Sequence, residues 1–218
     1  MRSFRLRHRV PFGRWLLCGT MGVFAGAGLN LAPGCATSGP PKPVVVNQSS
    51  PESLLFSLKT AAQQSFNRYL TALKSVTDCE RMPEVCRLLE ARNQAATEMV
   101  ELRDAMAKKF GTEGRQAGTI MLRSAYVEQF EEIERASVYS SDGDLAILRI
   151  GTEVYRMRLQ PTGWRIVQFP DPPYDPASSA DAIEILVTRI NAIREDVLAG
   201  RVDDMNQLQT RIAAAMGG

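Results

Sequence analysis

Residues 136–169 read ASVYSSDGDLAILRIGTEVYRMRLQPTGWRIVQF, and this stretch decides the fold because it alone carries sheet-like patterning. Asp142-Gly143 is a two-residue hairpin signal, since both central positions of that turn favour positive φ. Gly151 supplies a second reversal. Pro161-Thr162-Gly163 supplies a third, with proline fixing φ early in the turn and glycine free to turn left-handed late in it. Four short runs result, an antiparallel meander. With Gly151-Thr152 as the turn, Arg149 faces Val154, Ile147 faces Arg156 and Leu145 faces Arg158. The opposite face then carries Ala146, Leu148, Ile150, Tyr155, Met157 and Leu159, and this apolar set is expected to meet the helices. Trp164, Ile166, Val167 and Phe169 continue the sheet, and a bulge at Gly163 would change which of them point inward.

Helices flank the meander. Ser50-Pro51 is a cap followed by proline at the first helical position. Leu55, Leu58, Ala62, Phe66, Tyr69, Leu73 and Val76 then recur at spacings of three and four, one face of a long helix. Pro83 opens a second helix with Leu88, Leu89, Met99, Leu102 and Met106 on its buried side. Gly111 ends it, behind Lys108 and Lys109, cations suited to the last helical turn. Residues 112–135 are a weaker helix, because Gly114 and Gly118 lower its propensity, yet Leu122, Tyr126, Phe130 and Ile133 share one stripe. After the sheet, PDPPYDPASS is a proline-rich crossing. A helical hairpin closes the chain, with Ile183, Val187, Ile190, Ile193 and Val197 on its first arm and Met205, Leu208, Ile212 and Met216 on its second. The pattern shows no internal repeat and no second core, and about 170 residues fit one domain.

Residues 1–35 read as an export segment: a basic start with Arg2, Arg5, Arg7, His8, Arg9 and Arg14, an apolar run from Trp15 to Leu31, then Ala32-Pro33-Gly34-Cys35. Small residues ending in cysteine resemble a bacterial lipoprotein signal, which implies lipidation of Cys35 and attachment to the membrane on the extracytoplasmic side. An ordinary cleaved signal and a retained anchor are the alternatives, the run being near the lower length for a span. Residues 36–50, rich in Pro, Gly and Ser, read as a flexible tether.

Setting that segment aside inverts the charge. Of 26 basic residues five lie in the first 34 positions, which hold none of the 24 acidic ones, so the remainder carries 21 basic against 24 acidic groups, a net charge of −3. Net charge thus gives no support to a nucleic-acid partner. The single histidine, His8, falls in the same segment. The rest of the chain therefore has no Ser-His or Cys-His nucleophile and no His-ligated metal site, and no metal or cofactor is expected. Cys79 and Cys86 remain, an even number in an exported chain, which favours a disulfide. On one straight helix they would lie about 10 Å apart along the axis, too far to bond. Met82-Pro83 between them breaks such a helix, so a short stapled loop fits. Two free thiols are the alternative.

The wording FNRYLTAL in the first helix, Gly143-Asp144-Leu145-Ala146 at the first turn and Gly163-Trp164-Arg165-Ile166 in the last strand resembles the nuclear transport factor 2-like superfamily over roughly residues 50–170. The resemblance implies an α+β fold: long N-terminal helices packed on a curved, cone-like antiparallel sheet, here residues 51–177, with the C-terminal helical hairpin, 178–218, added to the same domain over the cone mouth or the sheet. Members include isomerases, dehydratases, cyclases and non-enzymatic binding domains, so the fold leaves function open.

For candidate sites, Tyr69, Tyr126, Tyr139 and Tyr155 could act as donors and Glu153 or Asp144 as a carboxylate, the groups that ketosteroid-isomerase-like members use. No spacing selects among them, so no catalytic residue is assigned. Arg149, Arg156 and Arg158 form a candidate anion-binding face, for an anionic ligand or a lipid headgroup; a solvated face neutralised by acidic helix residues is the plainer expectation. Glu128, Glu131, Glu132 and Glu134 read as an exposed helix side. The expected function is a membrane-tethered, non-catalytic envelope domain binding a small apolar ligand or a protein partner. The alternative is a small lyase or isomerase using Tyr and carboxylate groups.

Overall fold

A computed structural model describes residues 44–169 and 175–217. The export segment with Cys35, most of the expected tether and residues 170–174 of the proline-rich crossing lie outside the described residues; the rest of that crossing is Asp175 as the cap and 176–179 as the first turn of a helix. The chain is α+β, with five helices and one four-stranded sheet: α1 (Pro51–Gln64), α2 (Phe66–Val76), α3 (Pro83–Glu134), β1 (Ser137–Asp142), β2 (Leu145–Ile150), β3 (Glu153–Gln160), β4 (Gly163–Gln168), α4 (Pro176–Leu198) and α5 (Met205–Gly217).

The sheet is an open antiparallel meander in the order β1-β2-β3-β4. Gly143 and Gly151 both take φ of 59° at the expected turns. The β2–β3 register is the expected one, with Leu145 opposite Arg158, Ile147 opposite Arg156 and Arg149 opposite Val154. The bulges fall elsewhere than Gly163. One leaves Tyr139 unpaired in β1, and the other leaves Val167 unpaired in β4. Ala146, Leu148, Ile150, Tyr155, Met157, Trp164 and Ile166 form the buried face, while Leu159, expected there, is half exposed near the strand end.

The first helical stretch is two helices, not one long one. Ser65 takes extended backbone (φ −171°, ψ 158°), and its hydroxyl accepts the Arg68 N–H at 3.2 Å as the cap of α2. Leu54, Leu58 and Val76 from this pair meet Leu148, Met157 and Ile166 of the sheet, all without exposure to solvent. Residues 44–50, read from sequence as the end of a tether, are docked. Val44 and Val46 pack on this core, and Gln48 O accepts the Trp164 N–H at 3.0 Å along the β4 edge.

Helix α3 folds back on itself. Gly111 (φ 60°, ψ −132°) breaks it into an arm 83–110 and a return arm 112–134. The arms approach so closely at Gly114 that a Cβ there would lie 2.1 Å from Met106 O. At Gly118 it would lie 2.6 Å from Arg103 Cγ. The two glycines that weaken the helix locally are what lets the backbones meet.

The closing hairpin sits neither on the sheet nor over a cone mouth; it packs chiefly on α3. Ile190, Ile193 and Val197 of α4, with Met205 and Leu208 of α5, bury Met99, Leu102 and Met106. This is a second apolar cluster beside the first, where sequence patterning suggested only one. Arg194 pins the contact: Nη1 donates to Glu98 Oε2 at 2.9 Å and pairs with Glu101, the Arg194 and Glu98 side chains being only 16% and 13% exposed.

Cys79 and Cys86 are bonded, with Cα atoms 5.7 Å apart, across the turn from α2 into α3. Asp78 ties the same turn to the sheet, its N–H donating to Ile166 O at 2.9 Å and its carboxylate accepting from Gln160 at 2.9 Å. Closing so short a loop restricts the unfolded chain. Cys79→Ser/Cys86→Ser should therefore lose about 2–3 kcal/mol of stability, read as a lower urea midpoint with unchanged m-value. Unchanged stability on full reduction would contradict the staple's role.

Candidate functional site

Two regions gather the side chains that sequence singled out. The first is the outer face of the sheet. Strand alternation and the β2–β3 register place Arg149, Arg156 and Arg158 there together, all exposed. Arg165 of β4 stands directly opposite Arg158 on this face, half-buried, its guanidinium donating to Thr162 Oγ1 at 3.3 Å and to Thr77 O at 3.5 Å. Sequence reasoning missed it because the β4 register was open. The Arg149 guanidinium lies over the exposed Tyr139 ring, 4.8 Å from its centroid, a cation–π contact on the outer face. Leu145, Val154 and Tyr139 add exposed apolar surface, at 47%, 37% and 65%. Among the described residues no ion pair involves any of the four arginines.

The second region lies at the opposite face, where the β2–β3 turn meets α2 and the return arm of α3. Tyr155 Oη donates to Glu153 Oε2, and Tyr155 and Tyr69 are both buried. Burial, first of all, holds both phenols well above their ordinary range; the nearby Glu153 carboxylate adds to it. The Phe169 ring packs edge-on to Tyr155 at 4.9 Å. Tyr126 stacks on Phe66 at 4.4 Å and gives its hydroxyl to Met99 Sδ, so it belongs to the core. Asp144 is exposed at the β1–β2 turn. Of the expected donors and carboxylates, only Tyr69, Tyr155 and Glu153 come together.

Glu132 borders this cluster, its carboxylate against the Gly151 backbone. Desolvation, then Glu153 and Glu128, raise its pKa above 4.5. Glu132 therefore holds its proton to higher pH in the folded protein than in the unfolded chain, and its ionisation costs stability. That cost is absent below the unfolded value and grows as pH rises through the raised folded one. Glu132→Gln should raise the melting temperature at neutral pH, with the gain vanishing near about pH 3. A gain that persists in acid would assign it to packing instead.

A groove of about 610 Å³ runs beside the disulfide, lined in part by Lys74, Arg87, Glu90 and Glu184. Its charges are mutually paired, Lys74 with Glu90 at 2.6 Å and Arg87 with Asp181 and Glu184 at 2.6 and 2.8 Å, which leaves little for a ligand. Among the described residues no three His, Cys, Asp or Glu side chains converge as a metal set. Comparison with protein-family models, with curated proteins and with solved structures found no match to this chain.

Proposed function

We propose that this chain is a membrane-tethered, non-catalytic envelope domain whose working part is a surface, the outer face of its sheet. The observation that carries the reading is the contrast between the two sheet faces. The inner face is covered by α1 and α2, with Leu54, Leu58 and Val76 meeting Leu148, Met157 and Ile166 without exposure to solvent. Among the described residues the outer face stays open to solvent, with Arg149, Arg156 and Arg158 exposed beside Leu145, Val154 and Tyr139, and with Arg165 half-buried at its β4 side. Of the two expected kinds of partner, this favours one that meets a surface. The order of helices before a meander, with Gly143-Asp144-Leu145-Ala146 at a turn and Gly163-Trp164-Arg165-Ile166 in β4, supports keeping the nuclear transport factor 2-like reading within this proposal.

Tethering rests on residues 1–35, and no helix among the described residues is long and apolar enough to cross a membrane. The test is expression of the full chain and of Cys35→Ser in a bacterial host. The wild type is expected in the membrane fraction with a lipid-modified Cys35 at its N-terminus by mass spectrometry, and the variant is expected to lose the modification. A soluble wild-type chain that still begins at Met1 would overturn the tether.

A second reading, a small lyase or isomerase, draws on the Tyr155–Glu153 hydrogen bond beside Tyr69. Against it, the bond occupies the carboxylate a substrate would need, and both phenols are buried. Proton exchange alpha to the carbonyl of an enolisable ketone, abolished in Glu153→Gln with folding intact, would replace the first reading by this one.

A further inference from the structure

We infer that the outer sheet face is a docking surface for an anionic lipid bilayer. The inference deepens the tethered-domain reading and rests on it for the nearness of the membrane. Three observations converge.

The arginines are spread over three neighbouring strands rather than gathered around a pocket. Arg149 lies in β2, Arg156 and Arg158 in β3, and Arg165 in β4. A distributed set of cations matches a field of headgroups better than one bound anion. Arg158 and Arg165 stand directly opposite each other, like charges whose pairing is unfavourable; Thr162 Oγ1 and Thr77 O accept from Arg165, and negative charge laid over the face would relieve the rest. The guanidinium forks suit phosphate oxygens.

Between the arginines lie Leu145 and Val154, with Tyr139 beneath Arg149. Aliphatic and tyrosine side chains among cations are the composition of surfaces that settle into the headgroup layer. A nucleic-acid face would be expected to carry more charge than a chain of net −3.

The third observation is reach. From a lipidated Cys35, residues 36–43 extend at most about 30 Å. The chain then enters the fold along the β4 edge, where Gln48 bonds to Trp164, one residue from Arg165. A domain held there keeps its arginine face within range of the bilayer.

The test uses the full chain with vesicles of phosphatidylcholine alone and of phosphatidylcholine mixed with phosphatidylglycerol. Flotation reads attachment. Phenylglyoxal footprinting, followed by mass spectrometry, reads which arginines are covered, with Arg115 and Arg123 of the return arm as exposed controls. Flotation with both vesicles, and protection of Arg149, Arg156, Arg158 and Arg165 only where phosphatidylglycerol is present, is the expected result. That protection should fade at high salt. Arg156→Glu/Arg158→Glu, folded by circular dichroism, should still float yet lose protection at Arg149 and Arg165. Each arginine contributes roughly fivefold to partitioning onto an anionic surface, so two reversals suffice. Flotation with the anionic vesicles alone supports docking and removes the tether. Flotation with both and no lipid-dependent protection overturns docking, keeps the tether and turns the face toward an acidic protein. Flotation with neither overturns both.

Discussion

A chain ending at residue 175 will lose the second apolar cluster while keeping the first. Removing α4 and α5 uncovers Met99, Leu102 and Met106 and strips cover from Met121 and Leu122 beside them. At 1.5–3 kcal/mol for each large buried side chain, the loss is roughly 10 kcal/mol, as large as the whole stability of a typical domain. It also leaves Glu98 without Arg194, a largely buried carboxylate without its partner. The arm beyond about residue 97 and the return arm up to about residue 126 should therefore lose amide protection in hydrogen exchange. The sheet, packed on α1 and α2, should keep its own. An unchanged melting temperature would mean that the hairpin does not dock on α3.

Gly114→Val should be the most damaging single substitution in α3. Its Cβ would fall 2.1 Å from Met106 O and 2.6 Å from Met106 C, both backbone atoms, so a whole helical arm must move. The expected loss is about 3 kcal/mol, the upper end of ordinary overpacking. Gly118→Ala should cost less, because the facing backbone stands farther off, with Arg103 Cα at 3.0 Å, and the closest atom, Arg103 Cγ at 2.6 Å, belongs to a side chain. Gly111→Ala meets no atom within 4 Å, but its φ of 60° and ψ of −132° carry a strain of about 2 kcal/mol for a residue with a Cβ. Urea unfolding of the three variants checks the order. Equal losses at all three would show that backbone conformation, rather than the approach of the arms, governs the hairpin.

The sheet was the most legible part of the sequence, for a local reason. Period-two alternation and glycine at the turns set the β2–β3 register with little help from the rest of the chain, and with it the shared face of Arg149, Arg156 and Arg158. What escaped depended on contacts distant in sequence. Ser65 sits inside an uninterrupted apolar stripe, so nothing local marks it as the point where α1 ends and α2 is capped. Gly114 and Gly118 read as weak helix formers, because propensity is a property of one helix and close approach is a property of two. The stripes of 83–110 and 183–197 were both visible, but periodicity says that a face is buried and not against what. Arg165 depended on the register of β4, which shifts at Val167 rather than at Gly163. The pairing of Glu153 with Tyr155 lay within view as neighbours on one strand. The burial that sets the chemistry of Tyr155 comes from α2 and α3.

The arrangement of α3 also has a consequence in time. Its two arms can join as soon as residue 134 has emerged, since Met106 and Gly114 are only a few residues apart. The cover for Met99, Leu102 and Met106 is Ile190, Ile193 and Val197, roughly ninety residues later. At about 5–20 residues per second of synthesis, that strip of methionine and leucine waits several seconds, whether it emerges from a ribosome or a translocation channel. During that interval the part of the strip that the return arm leaves open is exposed to non-native contacts, and any early partner of this face competes with α4 for it.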